Sequence, residues 1–444
     1  MNQDLGMIGD ELVALLTTDM IGLTRGRWIP AGAGEAAMRK GCGWVPANLA
    51  LTPFDSIPAD NPWGSAGDLR LMPDEASRFR VASLPGKTPL NGVLCDITTL
   101  DGTPWHGCGR SLLKAALADF EAETGLKVTA AFEMEFQIEG AAREHAPSFS
   151  LASMRRADPF GPLLMAALRE ADAEPEMVLA EYGRDQFEIV CGPADAVAAA
   201  DRAVVIREVT REVARCCGLR STFAPKSTPD GVGNGLHIHF SFRSADGTPT
   251  SFDPARPGRV SEATGQFVAG LVRHMPALVA LTAPSVVSYF RLRPHHWSAA
   301  YTAFGALNRE ASVRICPTAE TPGANIAKAF NLEYRAADNT ASPYWALGVM
   351  IRAGLAGIRE GLAQPPLIAN DPDTLPASER ERLGLRRLPE TLPTALDAFM
   401  HDSIVQDWFH PEIIQGFLAM KRAEIEMTSA WSDAEICRRY AEVY

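Results

Sequence analysis

Four short segments of the chain carry ionisable or polar side chains at every second position, with apolar residues between them. These side chains are Glu133 and Glu135 in residues 127–138, Gln186 and Glu188 in 184–190, His237, His239 and Ser241 in 236–242, and Glu333 and Arg335 in 331–335. Alternate side chains of a β-strand point to the same face. Each segment is therefore predicted to be a strand with one polar and one apolar face, and Glu181 lies one short turn before the second segment.

A solvated edge strand is the simpler explanation for any one of these segments, because alternation is usual where one face of a sheet meets water. The residue types of the whole set argue against it. Neighbouring carboxylates on one face repel each other unless a cation lies between them. Carboxylates with one or two imidazoles suit Mg²⁺ or Mn²⁺, whereas a structural Zn²⁺ site would use cysteines. The pattern therefore predicts a cavity that binds divalent metal ions.

Arginines between residues 291 and 335 could supply the anion-binding half of such a site. They are Arg291, Arg293, Arg309, Arg314 and Arg335. A lone arginine usually lies at the surface, but several near an acidic metal site more often hold phosphate or carboxylate. Carboxylates, divalent metal ions and arginines together catalyse phosphoryl transfer. Neither a GxxxxGK[ST] loop nor a kinase-type glycine loop occurs in the sequence, so the nucleotide site would be of another kind.

The elements that must position these residues are those of an α+β protein. The first hundred residues predict short strands, one helix at about 11–18 and a long loop at 53–68. After residue 104, helical periodicity predicts helices at 110–124, 160–173, 195–217, 262–282 and 345–361, with short strands between them. We therefore expect a small N-terminal domain, residues 1–103, and a larger catalytic domain, residues 104–444.

The composition argues against several other classes of protein. With 42 Lys and Arg against 54 Asp and Glu, the net charge of −12 does not suit a general nucleic-acid binder. The N-terminus, MNQDLGMIGDELVALL, lacks the basic region of a secretion signal, and the longest apolar stretch, 275–287, is too short to span a bilayer. The eight cysteines form no CxxC pair, and Cys316 is predicted to be a core residue rather than a nucleophile. We expect a cytoplasmic protein with no nucleic-acid or membrane partner.

Five motifs, in their order and spacing, resemble the glutamine synthetase family over nearly the whole chain. They are FEMEF at 132–136, EYGRDQFEI at 181–189, GNGLHIHFS at 233–241, NREASVR at 308–314 and LEYRAADNTASPY at 332–344. The resemblance implies an N-terminal β-grasp domain and a catalytic domain whose curved antiparallel sheet forms a cavity with two mouths. It also implies a homo-oligomeric ring, a dodecamer of two hexamers.

The resemblance further implies roles for individual residues. Two ions, Mg²⁺ or Mn²⁺, would be bound, one by Glu135, Glu181 and Glu188 and the other by Glu133, His237 and Glu333. The implied glutamate contacts are Glu135, Gly233, His237, Arg291 and Arg335, and the implied ATP contacts are His239, Ser241, Lys328 and Arg314. Arg309, Arg314 and Arg335 are the implied catalytic arginines.

The implied reaction has two steps and three small-molecule substrates: glutamate, ATP and an amine. ATP phosphorylates the γ-carboxylate of glutamate, and the amine then attacks the acyl phosphate and expels phosphate. Metal ions and arginines would neutralise the charge in phosphoryl transfer, and the activated acyl group makes formation of the amide favourable.

The amine end of the site departs from the family pattern. Ammonia-using members carry a glutamate in the flap after the matched Arg291, which helps to take up ammonium. Here the flap reads PHHWSA at 294–299, with Trp297 at that position. The aspartate that helps to bind ammonium is also not clearly matched, and its loop offers Thr52 or Asp55 as candidates. Trp297 could hold an alkyl or aromatic amine or an organic cation, and His295 or His296 could act as a base.

Three hypotheses remain open from the sequence. The leading one is a glutamate–amine ligase that uses a polyamine, an alkylamine or an arylamine in place of ammonia. The second is an ordinary glutamine synthetase with a remodelled flap, in which Trp297 is only a packing residue. The third is a catalytically silent homologue with a structural or regulatory role, against which the six complete ligand positions argue.

Overall fold

The computed structural model describes residues 11–141 and 146–444, which include all four segments with alternating polar and apolar residues. Residues 1–10, on which much of the prediction about a secretion signal depends, lie outside the described residues. The described part contains a six-stranded sheet, a nine-stranded sheet and a set of helices, which confirms the predicted α+β class. No helix within these ranges is long and apolar enough to cross a membrane.

The N-terminal part of the chain forms a six-stranded sheet. Its strands are β1 (Leu12–Thr18), β2 (Thr24–Pro30), β3 (Cys42–Trp44), β4 (Leu69–Pro73), β5 (Phe79–Val81) and β6 (Leu90–Thr98), and helix α1 (Gly34–Lys40) follows β2. The strand order is β2-β1-β6-β4-β3, with β5 also paired to β6. The pairing of β1 with β6 is parallel, and the others are antiparallel. The loop predicted at 53–68 contains no strand or α-helix.

The helix predicted at residues 11–18 is wrong, because this segment forms β1. It pairs with β2 from Leu12 opposite Pro30 to Thr18 opposite Thr24. Every residue from Val13 to Thr18 is buried, since β1 lies between β2 and β6. A short, continuously apolar run carries neither a helical nor a strand period. Pairing with distant strands therefore decided its structure.

A nine-stranded sheet forms the larger part of the chain. Its strands are β7 (Leu126–Glu139), β8 (Pro175–Ala180), β9 (Gln186–Cys191), β10 (Ala194–Asp195), β11 (Arg220–Thr222), β12 (Leu236–Ser244), β13 (Phe304–Ala306), β14 (Val313–Ile315) and β15 (Leu332–Tyr334). The main order is β13-β14-β15-β12-β7-β9-β8, with β10 and β11 paired to β7. All four segments with polar alternation are thus adjacent strands, β15, β12, β7 and β9.

The larger part of the chain also contains helices, most of which bury residues in the core, whereas the two short helices at 326–329 and 377–382 bury none. The helices are α2 (Gly109–Thr124), α3 (Leu151–Arg155), α4 (Phe160–Glu170), α5 (Ala196–Cys216), α6 (Glu262–Thr282), α7 (Ser288–Arg291), α8 (Ile326–Ala329), α9 (Pro343–Arg359), α10 (Ala377–Arg382), α11 (Leu392–His401), α12 (Ser403–Gln406), α13 (Pro411–Thr428) and α14 (Asp433–Val443). The five helices predicted from periodicity are α2, α4, α5, α6 and α9, each within three residues of its predicted bounds. Helices α2 and α5 pack against β7.

The two faces of β7 differ sharply in burial. Phe132, Met134, Phe136 and Ile138 are at most 3% exposed, and the Phe136 ring lies against the rings of other core residues. The residues between them are only partly buried. The apolar face therefore anchors the strand, and the opposite face, which carries the carboxylates, lines an open cavity.

Candidate metal and phosphoryl-transfer site

The strand register brings the polar residues of four strands into one patch on the sheet. Glu133 of β7 lies directly opposite His237 of β12, and Glu135 of β7 lies opposite Glu188 of β9. On the other side of β12, His239 pairs with Glu333 of β15. The hydrogen-bonded strands therefore fix the positions of these side chains, and the arrangement depends little on loops.

One group of ligand atoms consists of Glu133, His237 and Glu333, the set predicted for the second ion. One ligand atom of each residue, a carboxylate oxygen or an imidazole nitrogen, lies within 4.8 Å of the other two. The Oε2 atom of Glu133 lies 3.2 Å from His237 Nδ1 and 3.1 Å from His239 Nε2. His237 Nε2 is buried without a hydrogen-bond partner. A buried imidazole nitrogen that faces carboxylates and has no partner fits a metal ligand.

A second group consists of Glu135, Glu188 and His237, whose ligand atoms also lie within 4.8 Å of one another. Glu181, predicted to join Glu135 and Glu188, follows β8 at the same edge of the patch. Burial raises the pKa of Glu181, and the nearby charge of Glu135 raises it further. Two carboxylates and a third nearby supply oxygen donors for a hard divalent ion. The donor chemistry of both groups thus fits Mg²⁺ or Mn²⁺.

The carboxylates of the patch have very different proton affinities. Burial, the charge of Glu133 and a hydrogen bond with Glu133 raise the pKa of Glu188 to about 10. Burial acts in the same direction on Glu133, but hydrogen bonds with His237 and His239 outweigh it and lower its pKa. In the metal-free protein, the carboxyl group of Glu188 therefore keeps its proton at neutral pH.

Two of the predicted arginines converge on Glu333, which is fully buried. Its Oε1 atom accepts a hydrogen bond from Arg335 at 2.6 Å and lies 2.8 Å from Arg314 Nε. Burial would raise the pKa of Glu333, but the charge of Arg335 and of nearby groups lowers it to about 2. Glu333 therefore stays ionised, and its Oε2 atom faces His239 at 3.5 Å from Nε2.

Arg291 lies in a buried position at the end of α7, beside the same patch. It donates a hydrogen bond to the Ala337 carbonyl at 3.0 Å. Glycines at 233 and 235 make room for it, because a Cβ at Gly233 would approach the Arg291 side-chain carbons, and one at Gly235 would overlap its guanidinium. Gly233 thus has a steric role beneath Arg291, in addition to the contact with glutamate that the resemblance implies.

Three of the four residues predicted to contact ATP, His239, Ser241 and Lys328, border one cavity beside Glu133, whereas Arg314 lies against Glu333 and does not line it. This cavity has a volume of about 270 Å³ and is lined by His239, Ser241, Lys328 and Asn331, together with apolar side chains of β7, β9 and β12. Asn331 Oδ1 lies 2.9 Å from His239 Nδ1. Apolar walls suit the base of a nucleoside triphosphate, and the lysine and the edge of the acidic metal patch suit its phosphates.

Trp297 is 49% exposed, so it is not enclosed as a packing residue. Its indole ring meets the Tyr182 ring edge-to-face at 4.8 Å, and the Arg309 guanidinium lies over it at 5.8 Å. Its backbone is fixed, because its N–H donates to Glu310 at 3.0 Å and its carbonyl accepts from Arg335 at 2.8 Å. The flap thus places an aromatic face at the edge of the acidic patch.

Tyr182 and Phe149 extend this aromatic surface. Their rings meet edge-to-face at 4.7 Å, and Tyr182 and Phe149 are 50% and 52% exposed. Phe149, Tyr182 and Trp297 together form what we call the aromatic corner. Tyr182 directly follows Glu181 and donates its N–H to the Glu181 carboxylate at 3.2 Å. The aromatic corner therefore adjoins the acidic patch.

The other two predicted amine-site residues lie differently. His296 has an exposed side chain in the flap beside Trp297, and desolvation by neighbouring atoms and the charge of Lys226 lower its pKa. Asp55 is exposed and forms an ion pair with Arg25 at 3.1 Å. Among the described residues, no contact joins Asp55 to the acidic patch of the same chain. The role of Asp55 at the amine site stays a prediction.

The sequence reasoning missed several residues that the structure brings to the site. Tyr182 lies within the EYGRDQFEI motif, and its ring faces the flap only because the chain turns between β8 and β9. Asn339 holds the two strands beneath the carboxylates by donating to the carbonyls of Glu135 and Gly235. Cys316 is buried as predicted, but its Sγ also lies 3.6 Å from Glu333 Oε2.

Comparison with known proteins gives consistent matches. The N-terminal and catalytic domains of glutamine synthetase match residues 7–105 and 106–440. The chain is 35% identical to gamma-glutamylpolyamine synthetase GlnA3 of Streptomyces coelicolor, over 97% of this chain and 93% of the relative. It is 30% identical to the glutamine synthetase of Methanococcus maripaludis, over 81% and 80% of the two chains. The crystal structure of a novel glutamine synthase homolog superposes over 100% of both chains, with a TM-score of 0.91 and 45% identity.

Proposed function

This chain belongs to the glutamine synthetase family and is an ATP-dependent carbon–nitrogen ligase, and we propose that it joins the γ-carboxylate of glutamate to a carbon-bearing amine. The observation that carries the proposal is the aromatic corner beside the acidic patch. Where ammonia-using relatives of the family place a carboxylate in the flap, this chain presents the half-exposed face of Trp297.

The amine would be recognised by two complementary features. A cationic nitrogen is attracted to the π faces of Tyr182 and Trp297, and the alkyl or aryl part of the amine can pack against the same rings. The two edge-to-face contacts and the Arg309 guanidinium cover part of this aromatic surface, and the rings of Tyr182 and Trp297 remain about half exposed beside them. Ammonium has no apolar part and would gain nothing from the aromatic corner. A polyamine, an alkylamine or an arylamine therefore fits better, and the similarity to a gamma-glutamylpolyamine synthetase supports this class.

The acidic patch would bind two divalent ions, Mg²⁺ or Mn²⁺, through the ligand sets that the family resemblance implies. Glu135, Glu181 and Glu188 would hold one ion, and Glu133, His237 and Glu333 would hold the other. When bound, these ions neutralise the phosphates of ATP and the charge that develops in phosphoryl transfer. The orphaned Nε2 atom of His237 supports its role as a ligand.

Glutamate and ATP would approach each other across Glu133. We assign the α-carboxylate of glutamate to buried Arg291, and the γ-carboxylate to the vicinity of Arg335. The adenine nucleotide would occupy the 270 Å³ cavity, with His239, Ser241 and Lys328 in contact with it. In this arrangement the γ-carboxylate oxygen attacks the terminal phosphorus, and ADP leaves.

The arginines would stabilise the transferring phosphoryl group and the acyl phosphate. Arg335 and Arg314 are held in place by Glu333, so little reorganisation is needed during the reaction. Arg309 extends from the flap side, over Trp297. The amine nitrogen then attacks the acyl carbon, phosphate leaves, and the amine proton passes to a base. His296, whose lowered pKa keeps it neutral at pH 7, is the candidate base.

The test is phosphate release from ATP and glutamate with Mg²⁺ or Mn²⁺, across ammonia, methylamine, ethanolamine, putrescine and aniline. A carbon-bearing amine should give the highest kcat/KM. Trp297→Glu should shift the preference toward ammonia, because it removes a cation–π contact of about 0.5–2 kcal/mol, or roughly 2- to 30-fold in KM for the amine. Trp297→Phe is the matched control and should keep most of the preference. An unchanged preference in Trp297→Glu would refute the role of Trp297.

Ammonia as the acceptor is the second candidate function, and the similarity to the Methanococcus maripaludis glutamine synthetase favours it. The same assay separates the two, since highest kcat/KM with ammonia would support the second. We also propose the domain division at residues 103 and 104, a ring of two hexamers and a cytoplasmic location. Mass photometry of the purified protein measures the size of the ring.

A further inference from the structure

A thiol lies next to the acidic patch, in a place that the proposed reaction does not use. Cys316 directly follows β14 and is 7% exposed. Its Sγ atom lies 3.5 Å from His239 Nδ1 and 3.6 Å from Glu333 Oε2. One ligand atom each of His239, Cys316 and Glu333 lies within 4.8 Å of the others. Sulfur, nitrogen and oxygen donors thus converge at one point of the cavity wall.

This donor set differs in kind from the two groups of carboxylates and His237. Mg²⁺ and Mn²⁺ prefer oxygen donors, whereas a thiolate selects ions such as Zn²⁺ and Cd²⁺. Three protein ligands with a fourth position open to solvent is the usual arrangement at an open Zn²⁺ site. The arginines occupy only the Oε1 atom of Glu333, so its Oε2 atom is directed toward the thiol.

We propose that His239, Cys316 and Glu333 form a further site for a thiophilic divalent ion, Zn²⁺ or Cd²⁺, that overlaps the proposed Mg²⁺ or Mn²⁺ ligand sets at Glu333. Metal binding releases to solvent the thiol proton and the extra proton of charged His239, because a thiolate and a neutral imidazole are the ligands, and a water molecule completes the coordination. Glu333 belongs to one of the proposed Mg²⁺ or Mn²⁺ sets, and His239 borders the nucleotide cavity. An ion bound at this site therefore withdraws Glu333 from the Mg²⁺ or Mn²⁺ set and His239 from the nucleotide cavity.

The binding experiment uses the full-length protein with saturating Mg²⁺ and follows the ultraviolet thiolate-to-Cd²⁺ charge-transfer band during titration with Cd²⁺. The wild-type protein should develop the band, and Cys316→Ala should lose it. Cys217→Ala is the matched control, because Cys217 is a partly buried thiol far along the chain from the site, and it should behave as wild type. A band of equal amplitude in Cys316→Ala overturns the proposal.

Zinc affinity gives a second measure that requires no turnover. Competition with a chromogenic Zn²⁺ chelator should show at least a roughly 10-fold weaker Kd for Cys316→Ala, since loss of even an outer-shell partner costs about 10- to 100-fold. Cys316→Ser should fall between Cys316→Ala and wild type, because a hydroxyl is a poorer ligand for Zn²⁺. Equal affinities of wild type and Cys316→Ala contradict the proposed site.

Inhibition of the ligase by Zn²⁺ is the functional consequence, and this part alone rests on the proposed function. With Mg²⁺ in excess, Zn²⁺ should inhibit phosphate release by the wild type at a concentration roughly 10-fold or more below that needed for Cys316→Ala. Equal inhibition of the two proteins overturns the regulatory consequence. If no amine supports turnover, the proposed function fails while the Cd²⁺ band still decides whether the thiophilic site exists.

Discussion

Binding of metal ions to the acidic patch is predicted to release a proton from Glu188. This residue is 6% exposed, and burial with the charge of Glu133 raises its pKa to about 10 in the metal-free protein. Its carboxyl group is therefore protonated at neutral pH, whereas a carboxylate that binds a metal ion must be deprotonated. Each protein chain should release about one proton when Mn²⁺ fills the ligand set that contains Glu188.

The release of one proton sets the size of the pH effect. Between pH 6 and pH 8, Mn²⁺ affinity should rise about tenfold per pH unit, which is about 1.4 kcal/mol. Isothermal titration calorimetry in two buffers of different ionisation enthalpy measures the number of protons directly. Glu188→Gln keeps the shape of the side chain, so it should bind Mn²⁺ more weakly and release no proton.

The same raised pKa affects the stability of the metal-free protein. The folded chain holds a proton on Glu188 that the unfolded chain, with an ordinary pKa of 4.5, has released. This contribution to stability is fully present below pH 4.5 and is lost as the pH rises toward 10. Thermal unfolding of the metal-free protein should shift to lower temperature across this range, and less so in Glu188→Gln. The reasoning about Glu188 would be refuted if Mn²⁺ binding released no proton and if the Mn²⁺ affinity did not change with pH.

Three further substitutions test other parts of the site. Gly235→Ala places a methyl group against the Arg291 guanidinium and should raise the KM for glutamate roughly 10-fold or more, with the KM for ATP unchanged. Asn331→Ala frees the His239 ring and should raise the KM for ATP by about 2- to 10-fold, from the loss of about 0.5–1.5 kcal/mol. Lys328→Ala should likewise raise the KM for ATP and leave the KM for glutamate unchanged. Steady-state kinetics in which each substrate is varied in turn measure the effects of all three substitutions.

Much of the site followed from the sequence because side-chain alternation is a local property. The pattern of Glu133, Glu135 and Glu188 fixed which faces were polar, and residue type alone indicated divalent metal ions. The pairing of these strands with one another came only from the resemblance. The structure places the four strands side by side, and its register sets Glu133 opposite His237 and Glu135 opposite Glu188.

Other features depend on contacts between distant segments and had no local signal. The run LVALLTT at 12–18 could be helix or strand until β2 and β6 enclosed it. Tyr182 and Trp297 are 115 residues apart in the numbering, and their contact requires the flap to fold over the β8–β9 turn. Cys316 appeared to be an ordinary core residue, since burial alone does not reveal that Glu333 and His239 lie beside it.

Direct competition between amines tests the central claim most simply. The wild-type protein is incubated with glutamate, ATP and Mg²⁺ in an equimolar mixture of ammonia and the best carbon-bearing amine of the panel, and the products are identified by mass spectrometry. The aromatic corner of Phe149, Tyr182 and Trp297 predicts that the γ-glutamyl amide of the larger amine predominates. A product mixture dominated by glutamine would contradict the account.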